Sequence, residues 1–263
     1  MKRVRLCADD YGLGPAVDRG MLVLARQGRV GALSCLVTTP RWPEAARALR
    51  ELPAGVALGL HFNLTQGEPL SEALRDHWPR LPGLASLLTQ AALRQLPREA
   101  LAAEWQAQLD AFSDACGRAP QFLDGHQHVH ALPGVRELLL DEAQRLGVPV
   151  RDTGRVLGPG HALKRRIIER CGGRALRRAL QARGVAHASA LLGVYDFDPR
   201  ADYRRLMRGW LAALPDGALL FCHPALGGPD RDDPIGVARQ REAAYLGSAA
   251  FADDLAEFGV SLR

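Results

Sequence analysis

Short, almost uninterrupted apolar runs recur along this chain, separated by longer amphipathic stretches. This alternation constrains the fold more than any other feature. The runs are VRLCA at 4–8, ALSCLV at 32–37, VALGLHF at 56–62, QFLDGH at 121–126, VPVR at 148–151, ALLGV at 190–194 and ALLFCH at 218–223, with a short GVSLR at 259–263. Helical periodicity fills the gaps at 15–27, 41–51, 98–116, 133–146, 161–182, 201–213 and 236–257, the last with a break near Gly247. A strand that is apolar on both faces needs cover on both, which a parallel sheet with helices packed outside it supplies. The pattern predicts a single-domain α/β fold, a (β/α) barrel-like architecture of seven or eight mostly parallel strands with outer helices. An open doubly wound sheet is the alternative. A length of 263 residues suits one such barrel.

Composition removes several function classes. The chain is 47% hydrophobic and carries an ordinary charged fraction of 24%, which excludes global disorder. No apolar run reaches the roughly 18 residues of a membrane span. The opening MKRVRLCADDYG meets an acidic pair where a secretory signal would stay apolar, so a cytoplasmic protein is expected. Cys7, Cys35, Cys116, Cys171 and Cys222 are scattered, odd in number and free of C-x-x-C spacing. They argue against a disulfide framework and against a cysteine zinc site. The net charge of +5 is concentrated: residues 161–183 hold eight Lys/Arg and one acid, Glu169, a segment of +7 on a body of −2. A near-neutral body with one basic segment gives little support to nucleic-acid binding.

The chemistry is expected where the apolar runs stop. Asp9 and Asp10 end the first, His61 the third, Asp124 and His126 the fourth, and His223 the run ALLFCH. Barrels and open α/β sheets both place active sites at the C-terminal ends of their strands. Four strands that finish in ionisable groups are hard to explain as core architecture, because each group would need a buried partner. In D-G-H-Q-H-V-H, an extended chain would turn Asp124, His126, His128 and His130 to one face. One carboxylate and two imidazoles are enough for a divalent cation that keeps positions open for water and substrate. Of the adjacent carboxylates Asp9 and Asp10, one can then bind the cation while the other accepts the water's proton. The other reading of that pair is a turn before the first helix, with Gly12 and Gly14 making the bend. For the proton transfers such a site needs, His223 is the first choice of acid and His128 the second. Arg151 also ends a run and is placed to steady Asp9 or a substrate oxygen, or to form a structural ion pair. His77, His161 and His187 stand alone and read as surface or loop residues.

The longest stretch without clear periodicity, 63–97, follows His61 directly and reads as an enlarged loop above the active-site face. Its Asn63, Thr65, Gln66 and Glu68 suit hydrogen bonds to a hydroxylated substrate, and Trp78 suits stacking on a substrate ring; an inert insertion with Trp78 packed on the body is the bland counterpart.

The segments ADDYGLGPAV, GLHFNLTQGEPL, FLDGHQHVHALPGV and FCHPA, followed by R-x-x-E at Arg239–Glu242, occur in this order across nearly the whole chain. Together they resemble the YdjC/ChbG family of carbohydrate deacetylases, which also includes the hopanoid-associated HpnK proteins. The resemblance implies a β/α-barrel-like fold and removal of an acetyl group from an N-acetylated sugar or glycoconjugate. It implies one divalent metal ion, Mg2+ or Zn2+, held by Asp10, His61 and His126, with Asp9 as catalytic base. Three positions depart from the family pattern: Cys7 replaces an asparagine, Gly125 a serine, and Asp18 an asparagine. None of them removes an implied ligand, but they bear on substrate identity and on the hydrogen bonds behind the ligands.

Two other readings compete. A metal phosphoesterase on a similar barrel would hold two ions and commonly carries H-x-H near its start, where this chain has D-D. The basic segment 161–183 would instead suit a protein that binds a membrane surface. Its charges are not confined to one helical face and Gly172-Gly173 interrupts it, so a solvated basic face is the plainer account. If the segment does bind, a lipid-linked sugar at a membrane surface fits better than DNA, because few aromatics accompany it. Peripheral membrane contact and a homo-oligomer are both compatible with the deacetylase reading.

Overall fold

The computed structural model describes residues 1–228 and 233–262. Seven strands form among the described residues: β1 (Lys2–Tyr11), β2 (Ala32–Cys35), β3 (Ala57–Phe62), β4 (Leu123–Gly125), β5 (Leu191–Leu192), β6 (Ala218–Cys222) and β7 (Val260–Leu262). Their order is β4-β3-β2-β1-β6-β5, and every pairing is parallel. β1 is the axis of the sheet. Its residues 4–8 pair with β6, while its start pairs with β7 and its end with β2.

Parallel neighbours need crossovers, and helices provide them. Pro15–Arg26 links β1 to β2, Trp42–Ala48 links β2 to β3, Arg98–Cys116 precedes β4, and Tyr203–Ala213 precedes β6. The expected break near Gly247 is present, with helices Gly236–Leu246 and Ala249–Glu257 on either side of it. One apolar core runs through Leu6, Leu33, Leu60, Leu123, Leu192 and Leu220 on the strands and Met21, Phe112, Leu139 and Trp210 on the helices, all essentially inaccessible. Burying each such side chain stabilises the fold by about 1.5–3 kcal/mol. No helix among the described residues is long and apolar enough to cross a membrane.

Three expectations need correction. The run at 148–151 is not a strand. Val150 makes one parallel bridge to Leu123 on β4, and Val156 makes one to Leu191 on β5. Residues 150–156 therefore touch both outer edges of the sheet and nearly close the barrel with irregular backbone. The Asp152 carboxylate accepts a hydrogen bond from the Gly154 amide at 2.7 Å, which turns the chain before a ladder can extend.

The helix expected at 161–182 is broken into Ala162–Ile168 and Arg174–Ala182 by a wide turn at Glu169–Gly173. Gly172 has φ +129°, and a Cβ there would lie 2.2 Å from the Ala131 carbonyl oxygen. Only glycine lets the turn pass so close to the histidine segment.

The segment 63–97 is not a bare loop. It holds helices Glu72–His77 and Leu84–Ala92, with Leu74 and Leu87 fully buried. Buried Glu104 on helix Arg98–Cys116 accepts from the amides of Leu70 and Ser71 at 3.1 and 2.8 Å and fastens the segment down.

Candidate active site

β1 ends in an irregularity that the chemistry requires. Between the pairs Ala8↔Leu33 and Tyr11↔Cys35, two residues of β1, Asp9 and Asp10, stand opposite Ser34 alone. Asp10 has φ +77°. In a regular strand, neighbours point to opposite faces. A bulge with one left-handed residue re-aims a side chain, and here both carboxylates line one cavity. The cavity holds about 590 Å³ at the C-terminal ends of the strands, where His61, His126, His128 and His223 also border it.

Asp10, His61 and His126 converge. Asp10 Oδ1 lies 2.9 Å from His126 Nδ1 and 3.4 Å from His61 Nε2. The three donor atoms all fall within 4.8 Å of one another. The outer contacts fix their orientation. His61 turns Nδ1 to Asp124 Oδ1 at 2.6 Å, which leaves Nε2 facing Asp10. Ser34 donates to the same Asp124 oxygen at 2.5 Å. Arg239 donates to the second Asp10 oxygen at 2.7 Å and to Asp233 at 2.6 Å. Burial works against a charged Asp10, yet Arg239 first and then His126 hold its carboxyl well below the usual range. Burial likewise opposes charge on His61, but Asp124, then the contacts to Asp10, push its ring up to about 10. One carboxylate and two imidazoles, with a carboxylate behind one ring, form a donor set that fits a divalent cation.

Asp9 is held separately. Buried Arg151 donates to both of its oxygens, at 2.5 and 2.6 Å, and reaches Asp124 Oδ2 at 2.6 Å. Cys7, Asp9 and Asp124 also cluster tightly, but the Arg151 guanidinium already fills the role of cation among them.

The family profile of YdjC-like proteins matches residues 3–257. The chain belongs to the YdjC-like family. It is 34% identical over 151 residues to a chitooligosaccharide deacetylase of Enterobacter sp., covering 55% of this chain and 56% of that protein. It is 36% identical over 159 residues to a human carbohydrate deacetylase, covering 56% of this chain and 46% of that one. The chain thus spans about half the length of the curated relatives it matches. A crystal structure from Enterococcus faecalis, of a protein described as a candidate for cellobiose-phosphate cleavage, superposes with a TM-score of 0.76 at 22% identity. It covers 100% of this chain and 97% of its own, and establishes the shared fold.

The YdjC-like histidine motif departs from the extended form that its spacing predicts. β4 stops at Gly125, and His126–Ala131 forms a tight turn with Gln127 and His128 at φ +51° and +63°. His126 and His128 reach the cavity. His130 turns back into the body, with Nε2 3.0 Å from the Arg151 carbonyl. Asp124 faces His61 and Arg151 rather than the cavity. His128 is neutral: burial first, then Arg151, hold its ring well below the ordinary value, and its buried Nδ1 has no protein partner.

Arg151 steadies Asp9, one of its expected roles, but it is 2% exposed and does not line the cavity, so it lies out of a substrate's reach. Trp78 does not border the cavity either. It packs half-buried against the core, because Leu74 and helix Arg98–Cys116 draw its segment inward. Asn63 is fully buried and organises the loop, donating to Thr38 Oγ1 at 2.8 Å and to the Gln66 carbonyl at 2.7 Å. From segment 63–97, Gln66 and Leu84 are the residues that line the cavity. His77 is exposed, as expected.

The sequence reading did not single out Ser34, Asp233, Lys164, Tyr195 or Phe197. Arg239 and Glu242 entered it only through the R-x-x-E resemblance. Their i, i+3 spacing on one helix was a usable signal: both are buried, and both turn toward strand ends. Glu242 accepts from the His223 amide and from the Tyr195 hydroxyl, each at 2.5 Å. On the other side of that loop, Gly20 seats helix Pro15–Arg26 against it; a Cβ there would lie 2.7 Å from Ala225 Cα. Burial pushes the His223 ring down to about 4 despite Asp10 and Asp9, so the ring is neutral at pH 7.

Burial also pushes Glu242 up from 4.5 to about 7. The folded protein then binds this proton more tightly than the unfolded chain does. The resulting stabilisation is complete below about pH 4.5 and is lost as pH rises through about 7. Wild type should lose stability relative to Glu242→Gln between about pH 5 and 8, as read by urea midpoints. A gap that stays constant across that range would show that Glu242 is ionised throughout.

Proposed function

We propose that this protein is a divalent-cation-dependent N-deacetylase acting on a carbohydrate. The observation that carries the reading is the convergence of Asp10, His61 and His126 beside a second carboxylate, Asp9, in one cavity. The carbohydrate-deacetylase names of the curated relatives point the same way. A bound Mg2+ or Zn2+ would supply Lewis acidity, polarising an acetyl carbonyl and lowering the pKa of water.

The chain's own residues divide the remaining work. Asp9, its oxygens fixed by Arg151, accepts a proton from the attacking water. His128, on the cavity wall, hydrogen-bonds a substrate hydroxyl. Gln66, the polar residue of segment 63–97 on the cavity, hydrogen-bonds the sugar. His223 begins neutral, so it must take up a proton before giving one to the departing amine nitrogen. Asp10 and Asp9 are the charges that favour that uptake. Among the described residues one open cluster of ligand atoms faces the cavity, since Arg151 occupies the other, which favours a one-ion deacetylase over a two-ion phosphoesterase.

The test is a panel of N-acetylated sugars, free and lipid-linked, read by acetate release with and without chelator. Release that stops with chelator and returns with Mg2+ or Zn2+ is expected. Release indifferent to chelation, or phosphate release from monoesters in its place, would overturn the reading.

A further inference from the structure

The helix Ala162–Ile168 has two different sides and no buried residue. One side is anchored. Lys164 donates to the Tyr195 carbonyl at 2.6 Å and lies 4.9 Å over the Phe197 ring, and Arg165 donates to the Pro159 carbonyl at 3.3 Å. Lys164 and Ile168 border the active-site cavity. The other side holds Leu163, Arg166 and Ile167, which share a face by their i, i+3, i+4 spacing. Leu163 is 72% exposed and Ile167 48%, among the few large apolar side chains left in water. Arg166, Arg170 and Arg178 are exposed and have no acidic partner among the described residues, whereas Arg174, Arg177 and Arg183 pair with Glu169, Asp152 and Asp141.

We propose that this stripe docks the protein on an anionic membrane surface, with the cavity mouth beside the contact. Free guanidinium groups supply attraction to anionic headgroups, each basic residue worth about fivefold in affinity. Exposed Leu163 and Ile167 supply the apolar insertion that distinguishes an interfacial helix from a merely charged one. A nucleic acid would use the guanidinium groups and leave both aliphatic side chains in water, so the charge and the apolar stripe together select a bilayer. The cavity that Lys164 and Ile168 border also carries the apolar groups Leu13, Phe197 and Ile235.

The full chain should sediment with phosphatidylcholine vesicles containing about a third phosphatidylserine and stay in solution with phosphatidylcholine alone. Arg166→Gln/Arg170→Gln should weaken that binding about twenty-five-fold. Leu163→Ser/Ile167→Ser should weaken it roughly tenfold or more. Because Leu163, Arg166, Ile167 and Arg170 are all exposed, both variants should keep the wild-type thermal midpoint. No binding of wild type to the anionic vesicles overturns the proposal. So does binding that ignores the serine substitutions, or binding to duplex DNA that exceeds binding to vesicles. Sedimentation is read without turnover, so its outcome is separate from the deacetylase reading.

Discussion

If the proposed centre is right, His61→Ala and His126→Ala should each abolish divalent-cation binding and reduce acetate release to background. Each substitution removes one of three donors that lie within 4.8 Å of one another, and two donors hold a divalent ion poorly. The histidine variants are cleaner than Asp10→Ala, which would strand buried Arg239 beside an empty carboxylate position. Asp10→Asn keeps the side chain's shape and should lose the ion as well. Elemental analysis after dialysis checks occupancy, and circular dichroism checks the fold. A histidine variant that keeps full metal content removes that residue from the ligand set.

Asp9→Asn should instead retain the cation and lose turnover by 10²–10⁴-fold, the usual contribution of a general base. Arg151 holds both Asp9 oxygens, and it keeps Asp124 as a partner when Asp9 is neutralised. The guanidinium therefore stays compensated, and the loss should appear in kcat, with KM little changed. Loss of the ion together with the activity would mean that the two adjacent aspartates have exchanged roles. An unchanged rate would place the base elsewhere, with His128 the next candidate at the cavity.

The strand ends were legible because a parallel sheet exposes its chemistry at one edge, and apolar runs mark that edge directly. The rule brings Asp9, Asp10, His61, His126 and His223 to that edge together; only the family resemblance separates Asp10, His61 and His126 from the rest. What failed to show was local backbone. Nothing in HQHVH announces left-handed conformations at Gln127 and His128, since neither is glycine, so an extended reading brought His130 and Asp124 to a face they do not share. Long-range partners were equally hidden. Ser34 looks like any small residue in an apolar strand, and its contact with Asp124 lies 90 positions away in sequence. Arg151 was placed at a strand end, but its direction depends on a turn at Asp152–Gly154 that the run VPVR does not reveal. An indole suggests stacking on a ring, whereas the position of Trp78 is decided by buried Leu74 on the helix before it and by Glu104, which fastens the segment's backbone at Leu70 and Ser71.

The seam at residues 150–156 has a consequence for any attempt to improve this protein. Where a complete barrel would have another hydrogen-bonded strand, one guanidinium spans the interior from that seam to Asp9 on β1 and Asp124 on β4. The same group ties the seam to two strands of the sheet and sets the angle of the proposed base. Selection for thermal tolerance and selection for turnover therefore pull on one side chain. A more robust scaffold has to be sought elsewhere, at the helix ends and outer surfaces, because a hydrophobic replacement at position 151 would exchange one property for the other.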